Sequence, residues 1–81
     1  MKVKELIEEL QKVDPELTVR VYADHGQCSM AASTTGVRFA DLDEKDEYMI
    51  ESSFDEDEIE DEEYTELTKD ECFGFFEIGA P

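Results

Sequence analysis

The sequence predicts an α+β domain in which an N-terminal helix packs on a small antiparallel sheet of three to five strands. Apolar residues recur at helical spacing near the start, two short segments further on alternate apolar and polar residues, and the last segment is almost wholly apolar. At 81 residues the chain has room for one domain with a thin core, so 1–81 is treated as a single domain.

The N-terminal helix is predicted from apolar residues that recur every three or four positions. Asp14-Pro15 ends it, because the residue before a proline is displaced from helical backbone angles. Residues 17–23 then alternate apolar and polar side chains, which predicts a half-buried strand. The apolar helix positions are Val3, Leu6, Ile7, Leu10 and Val13.

The middle of the chain predicts two further strands. Residues 24–27 are typical of a turn, and 28–35 of a loop or short irregular structure. Alternation predicts strands over 35–40 and 48–54. Ser53 and Glu56 have the spacing of a capping box, which marks a candidate helix start.

The chain ends in a strongly apolar strand, 72–78, whose phenylalanines need a core. Before it, an acidic helix or loop is predicted near residues 55–66, whose only apolar anchors are Ile59 and Tyr64 within it and Leu67 just after it. Because the chain must return to the sheet after Glu66, this acidic stretch is tethered at both ends. We expect an ordered acidic surface there, with a solvated loop as the alternative.

Charge is distributed very unevenly. Residues 1–40 carry five Lys/Arg and six Asp/Glu, a net of −1, whereas 41–81 carry two Lys and eighteen Asp/Glu, a net of −16. Between Asp41 and Glu63, fourteen of twenty-three residues are acidic and only Lys45 opposes them. Such crowding destabilises the folded state by self-repulsion, so it indicates a partner with a cationic surface, most often one built for nucleic acid.

These totals exclude several classes of protein. A net charge of −17 repels nucleic acid and anionic membranes, so direct binding to either is not expected. No apolar stretch approaches the roughly 20 residues that span a bilayer, and the N-terminus has acids where a signal peptide needs apolar residues. A cytoplasmic location is expected, with Cys28 and Cys72 as reduced thiols.

The linear charge density of 55–66 approaches that of DNA. As a helix it would span about 18 Å, and its nine carboxylates would give roughly one charge per 2 Å, against one per ~1.7 Å along duplex DNA. Such a surface can occupy a groove lined with Lys and Arg while presenting no nucleotide to cut. The alternative is a solubilising face, although the density exceeds what solubility requires.

The segment Met49-Ile50-Glu51-Ser52-Ser53-Phe54, with the acids after it, resembles the phage inhibitors of uracil-DNA glycosylase. In that family a Glu-Ser-aliphatic segment on an edge strand enters the DNA-binding cleft, beside an acidic helical segment and an apolar pocket. The resemblance implies that Glu51 and Ser52 hydrogen-bond the catalytic edge of the enzyme. Ser53 departs from the family pattern, which has an aliphatic residue there.

The stretch 4–27, from Lys-Glu-Leu-Ile through Asp-Pro to Val-Arg-Val-Tyr-Ala-Asp-His-Gly-Gln, is similar to the opening of many small phage proteins. They share a short helix, a proline turn and a Val-rich strand. This resemblance implies a phage or prophage origin, where small acidic inhibitors of host defence, anti-CRISPR proteins among them, are common. It does not name a target.

Neither an enzyme nor a cofactor is expected. His25 lies in a glycine turn without an acid–base partner, and Ser52 and Ser53 lack a recognisable base or oxyanion loop. A paired-carboxylate mechanism needs a pocket that 81 residues can hardly build.

No specific metal site is expected either. Structural zinc needs four nitrogen or sulfur ligands at tight spacing, which Asp24, His25, Cys28 and Cys72 do not supply. A calcium-loop pattern begins at Asp41, but residues 45, 46 and 52 do not fit it. Weak, nonspecific binding of divalent ions to the acids stays open.

The sequence therefore predicts a phage-encoded DNA-mimic inhibitor in the nucleic-acid-binding cleft of a host enzyme. Uracil-DNA glycosylase is the most specific target, followed by a CRISPR or other defence nuclease. The alternatives are an acidic interaction module for a basic protein unrelated to nucleic-acid sites, and an acidic domain that orders on binding cations. Monomer and dimer both stay open. The predicted contacts are the anchors Met49, Ile50 and Phe54, the hydrogen-bonding Glu51 and Ser52, and the phosphate-replacing Asp55, Glu56, Asp57, Glu58, Glu60, Asp61, Glu62 and Glu63.

Overall fold

The computed structural model describes residues 1–23, 29–59, 61 and 63–80. The α+β class, with an N-terminal helix and a three-stranded sheet, is confirmed. In chain order the elements are helix α1 (Val3–Leu10), strands β1 (Val19–Tyr22) and β2 (Thr34–Asp41), 3₁₀ turn η1 (Leu42–Glu44), helix α2 (Glu56–Ile59), 3₁₀ turn η2 (Lys69–Glu71) and strand β3 (Cys72–Gly79).

The chain divides into two compact units. Unit 1 comprises Met1–Gly36 and Phe75–Pro81, and holds α1, β1, the first residues of β2 and the last of β3. Unit 2 is Val37–Gly74, with the rest of β2 and β3, both 3₁₀ turns and α2. By sequence, unit 1 carries four Lys/Arg and seven Asp/Glu (net −3), and unit 2 carries three and seventeen (net −14).

The sheet has the order β1-β3-β2, which places the most apolar strand at its centre. A strand with neighbours on both sides and both faces covered suits a nearly continuous apolar sequence. β1 runs parallel to β3, with Val19 beside Phe76 and Val21 beside Ile78. The sheet is therefore mixed, which corrects the expectation of a purely antiparallel sheet. The chain passes from β1 to the opposite edge before β3 fills the centre, so β1 and β3 are not joined by a hairpin, which would make them antiparallel.

Helix α1 ends at Leu10, about one turn before the predicted end at Val13. The N–H groups of Lys12 and Val13 donate to carbonyls three residues back, at 3.2 and 3.4 Å, so the chain tightens into a turn. Asp14 continues the turn, because its carboxylate accepts a hydrogen bond from the Glu16 N–H at 2.9 Å. The helix was expected to run up to Asp14-Pro15. It ends at Leu10 instead, and turns join it to the proline.

The apolar stripe of α1 is largely open. None of its residues is buried, and Val3, Ile7 and Leu10 are 76%, 49% and 39% exposed. The expected packing of this helix on the sheet is therefore slight. The buried apolar side chains among the described residues are Phe75 and Phe76 in unit 1, and Ala40 and Ile59 in unit 2.

The predicted strand over 48–54 is wrong. Within this segment, Phe54 alone pairs in β fashion, through an isolated antiparallel bridge to Phe39 with both N–H···O distances at 2.8 Å. The strand does not form because the backbone next to this bridge has another partner. The Ser53 carbonyl accepts a hydrogen bond from the Arg38 guanidinium at 2.7 Å, not from the backbone of a neighbouring strand. Tyr48 is 94% exposed, so this end of the segment does not lie on the core.

In the described part of the acidic stretch, the helix is a single turn, α2, rather than an element that covers 55–66. The Asp55 carbonyl accepts from the N–H groups of Glu58 and Ile59, and the Asp61 carbonyl then accepts from Tyr64 N–H at 3.1 Å in a following turn. Like charges four residues apart along this stretch oppose a longer helix. The alternative of a loop therefore describes most of it better.

Several predicted features lie outside the described residues. They are the turn at 24–27, the zinc candidates Asp24, His25 and Cys28, and the predicted contact residues Glu60 and Glu62.

Candidate functional site

Arg38 on β2 holds the start of the acidic stretch in place. Its guanidinium donates from Nε to Ser53 Oγ at 2.8 Å, from Nη2 to the Ser53 carbonyl at 2.7 Å, and from Nη1 to Asp55 Oδ1 at 2.8 Å. The Arg38 side chain is only 26% exposed, so water weakens this contact less than it does at an open surface. A planar guanidinium with donors in fixed directions suits such a three-point contact. The hydroxyl of Ser53 therefore binds Arg38, and Asp55 is the residue that precedes α2.

Lys69 of η2 binds a second acid at the start of α2. Its ammonium group donates to Glu56 Oε1. This hydrogen bond and the positive charge of Lys69 hold the pKa of Glu56 below its usual value of 4.5. Because both groups are well exposed, the pair adds little to stability, but it joins the beginning and the end of the segment 56–69.

Sequence reasoning missed the roles of Arg38 and Lys69. Alternation over 37–39 indicates that Arg38 lies opposite its apolar neighbours, yet it does not indicate which distant residue comes to face it. Lys69 is thirteen residues from its partner Glu56, a separation at which no local pattern predicts pairing.

Most carboxylates of unit 2 face water. Eleven of the fifteen described ones are exposed, and the other four are half-buried. Among the predicted contacts, Glu58 and Asp61 belong to the half-buried group. The exposed carboxylates are those of Asp43, Asp46, Glu47, Glu51, Asp55, Glu56, Asp57, Glu63, Glu66, Asp70 and Glu71.

Two aspartates, Asp41 and Asp61, accept hydrogen bonds from the backbone two residues further along the chain. Asp41 Oδ1 accepts from the Asp43 N–H, and Asp61 Oδ1 accepts from the Glu63 N–H, both at 3.0 Å. These Asx turns set the direction of the chain at the start of η1 and after α2. Asp61 was predicted as a phosphate-replacing contact, and the structure gives it this turn as well.

Glu51 and Ser52 are both exposed, but not on a strand. The resemblance to glycosylase inhibitors implied an edge strand for this pair, and that placement is wrong. Ile50 and Phe54, two of the predicted anchors, are half-buried and so offer little area to a partner. Met49, at 78% exposure, is the anchor that stays accessible.

Two exposed tyrosines add apolar area to the acidic surface of unit 2. Tyr48 is 94% exposed and Tyr64 61% exposed. Of the three anchors predicted for the acidic stretch, Ile59 is buried at 2% exposure and Leu67 is half-buried, whereas Tyr64 is exposed, so the prediction is wrong for Tyr64. Tyrosine is enriched where proteins bind each other. Tyr48 and Tyr64 therefore place exposed aromatic area within the acidic unit.

A cleft of about 440 Å³ lies within unit 2, lined by Ile59 and residues 65–70. Glu66, Lys69 and Asp70 bring charged groups to its walls. This size is near the lower end of ligand sites, which run from ~300 to ~1,000 Å³. The cleft has room for a side chain of a partner, and its lining is mixed rather than apolar.

Cys72 adds no reactive centre. It is a free thiol whose pKa lies above its usual value of 9.0, first because burial disfavours the thiolate and then because Asp41 and Glu71 carry negative charge nearby. A thiol that stays protonated at neutral pH is a poor nucleophile and a poor metal ligand.

No cluster of three or more His, Cys, Asp or Glu side chains in the described part of the chain is arranged to hold a metal ion. In the same residues, no helix has the length and apolar character needed to cross a membrane.

No protein-family profile, no curated protein and no solved structure matches this chain. Function is therefore inferred from the residues themselves.

Proposed function

We propose that this chain is a DNA-mimic inhibitor, in which unit 2 occupies the basic nucleic-acid-binding cleft of an enzyme and keeps nucleic acid out. One observation carries the proposal: unit 2 has seventeen carboxylates against three cationic side chains, and most of the described carboxylates are exposed. Folding alone does not require this excess, since it adds self-repulsion. A cationic cleft would relieve that repulsion on binding.

Several acidic residues of unit 2 are fixed in position by hydrogen bonds. This order supports specific docking rather than diffuse attraction. Arg38 binds the chain at Ser53 and Asp55, and Lys69 binds Glu56. The Asx turn at Asp61 then redirects the chain. A surface that is already ordered loses less conformational entropy when it binds than a free tail does.

Charge and apolar area have different tasks in this proposal. Exposed carboxylates such as Asp57 and Glu63 attract the cleft from a distance and raise the association rate. Tyr48, Met49 and Tyr64 supply apolar area that a protein partner can bury. Glu51 and Ser52 are accessible for directional hydrogen bonds, which affect dissociation more than association.

Uracil-DNA glycosylase is the first enzyme to assay, because the Glu51-Ser52 pair suggested it. A CRISPR nuclease is the second. Support for the glycosylase is weaker than for the general proposal, since the pair does not lie on an edge strand.

The test is inhibition of uracil release, with and without excess duplex DNA that lacks uracil. Asp57→Asn with Glu58→Gln removes two charges from α2, and Glu5→Gln with Glu8→Gln removes two from α1 as a matched control. We expect the first pair to weaken inhibition by roughly tenfold, mostly through the association rate, and the control to change it little. Glu51→Ala should cost more affinity than any single change in 55–63.

Duplex DNA should compete with the inhibitor, and rising salt should weaken binding. Binding that DNA does not displace would favour the acidic interaction module instead. Equal small losses from both double variants would leave only a nonspecific acid patch. If calcium increased the helical circular dichroism signal of the free chain, the cation-responsive alternative would gain support.

A further inference from the structure

β1 is an edge strand of the sheet. The Phe76 N–H donates to the Thr18 carbonyl at 2.9 Å, and the Ala80 N–H to the Tyr22 carbonyl at 3.0 Å. In a parallel ladder alternate residues bond the neighbour, so residues 18, 20 and 22 face β3. The backbone N–H and C=O groups of Val19 and Val21 point the other way, where the described part of the chain places no strand. Such an edge is a template for another strand.

The side chains along this edge are apolar and accessible. Val19, Val21 and Tyr22 are 53%, 73% and 55% exposed. β1 contains neither lysine nor proline, the residues that often protect an edge from pairing. Its one charged residue, Arg20, has its guanidinium carbon 5.6 Å from the centre of the Phe75 ring.

Local charge favours a second copy of this chain as the occupant. Residues 1–23 carry four Lys/Arg and five Asp/Glu, a net of −1. Two copies can therefore approach at β1 with little local repulsion. A strongly cationic partner has far more to gain from unit 2, whose net charge is −14.

We propose that two copies of this chain pair through β1, antiparallel about a two-fold axis at Val21. Val21 then lies opposite Val21 of the second copy, and Val19 opposite Ala23. These pairs use the outward backbone groups, and each exchanges both of its hydrogen bonds. The pairing is the same for both copies, so it closes as a dimer instead of growing into a fibre.

Charge selects this register. With the axis at Val21, Arg20 lies opposite Tyr22 of the second copy, which permits a cation–π contact. Were the axis at Arg20, two guanidinium groups would lie directly opposite each other, and like charges in that position are destabilising. Charge therefore favours the axis at Val21 over the one at Arg20.

The oligomeric state is measured by sedimentation over a series of protein and salt concentrations. We expect a species of twice the 9.3 kDa mass of one chain. Salt should strengthen it, because two copies that each carry −17 repel each other until that charge is screened. Docking of unit 2 in a cationic cleft responds to salt in the opposite sense, so the two proposals can fail separately. A monomer under all conditions would overturn the dimer.

Cysteine cross-linking tests the alignment, with Cys28→Ser and Cys72→Ser as the background. Val21→Cys should oxidise to a disulfide-linked dimer, since facing residues of a hydrogen-bonded pair lie about 5.5 Å apart at Cα, within disulfide range. Val19→Cys is the matched control, because the two copies of residue 19 would lie about 13 Å apart along the strands. Equal cross-linking at both positions, or none at Val21→Cys, would contradict the register.

A charge at the axis provides an independent test. Val21→Glu places two carboxylates opposite each other and should raise the dimer dissociation constant by about tenfold or more. Val21→Thr keeps the β-branched shape and should retain the dimer. Circular dichroism verifies that both variants fold, as expected at a position 73% exposed. A folded Val21→Glu variant that dimerises as tightly as the unsubstituted chain would place any dimer interface elsewhere.

Discussion

Unit 1 and unit 2 leave opposite kinds of surface in contact with water. Unit 1 carries a net charge of −3 and contributes eight of the twelve large apolar side chains that are exposed among the described residues. Unit 2 carries −14 and exposes most of its described carboxylates. One short chain thus concentrates its negative charge in one unit and most of its large exposed apolar side chains in the other.

The two units are also stabilised by different means. In unit 1, Phe75 and Phe76 are 1% and 2% exposed and supply the core. Unit 2 buries Ile59 and Ala40, and adds polar contacts from Arg38 and Lys69 that span thirteen to seventeen residues. Substitutions at these polar contacts should therefore reveal how much they stabilise the acidic unit.

The largest effect is expected at the core of unit 1. Phe75→Ala should lower the free energy of unfolding by about 3–5 kcal/mol, because it removes a buried ring and leaves a cavity. Urea denaturation followed by circular dichroism measures the change. Tyr48→Ala, at a side chain 94% exposed, is the control and should alter stability by less than about 0.5 kcal/mol. Similar losses from both would mean that Phe75 is not a core residue.

The next largest effect is expected at Arg38 in unit 2. Arg38→Ala removes all three hydrogen bonds to Ser53 and Asp55 and should cost about 1.5–3 kcal/mol. Hydrogen exchange at the Phe54 N–H, which donates to the Phe39 carbonyl next to this contact, should speed up. Arg38→Lys keeps the charge without the planar fork and should recover only part of the loss. Full recovery by lysine would reduce the contact to simple charge attraction.

Gly79 and Gly36 differ in how much space surrounds them. A Cβ at Gly79 would collide with Thr34 Oγ1, so Gly79→Ala should destabilise the protein by about 1–3 kcal/mol. At Gly36 nothing lies within 4 Å of an added Cβ, and Gly36→Ala should be neutral or stabilising by up to about 1 kcal/mol. Thermal or urea unfolding compares the two. The reverse order would contradict the strand positions of both residues.

The smallest effect concerns the pair of Glu56 and Lys69. In Lys69→Ala the pKa of Glu56 should rise towards its usual value of 4.5, because the hydrogen bond and the positive charge are lost. Since the folded-state pKa is lowered, the contribution of the pair is present above 4.5 and disappears as the pH falls through the lowered value. NMR titration of the Glu56 carboxylate measures this, with Lys45→Ala as the control. An unchanged titration in Lys69→Ala would show that the pair does not form in solution.

Elements encoded by local patterns were predictable from the sequence. The spacing of Val3, Ile7 and Leu10 predicted α1, and alternation or apolar runs predicted β1, β2 and β3 within a few residues. The apolar sequence of β3 also agrees with its central place in the sheet. Its direction relative to β1 was not predictable, because it depends on how the chain crosses between edges, which no local pattern encodes.

Features decided by distant residues were not predictable. Alternation over 48–54 suggested a strand, yet the Ser53 carbonyl binds the side chain of Arg38 instead of a neighbouring strand. Ile59 and Tyr64 were both expected to be anchors, yet of these two only Ile59 is buried. Of the candidate site, the concentration of acids could be read directly. Which acids are held by Arg38, Lys69 or their own backbone could not.

The most direct test of DNA mimicry by unit 2 is capture of bacterial proteins on the immobilised chain at low salt, followed by elution with duplex DNA. We predict that nucleic-acid-binding enzymes are retained and that DNA releases them. The Asp57→Asn, Glu58→Gln variant should retain much less of them than the Glu5→Gln, Glu8→Gln variant. Retention of proteins that DNA does not release, or equal retention by the two variants, would contradict the proposed function.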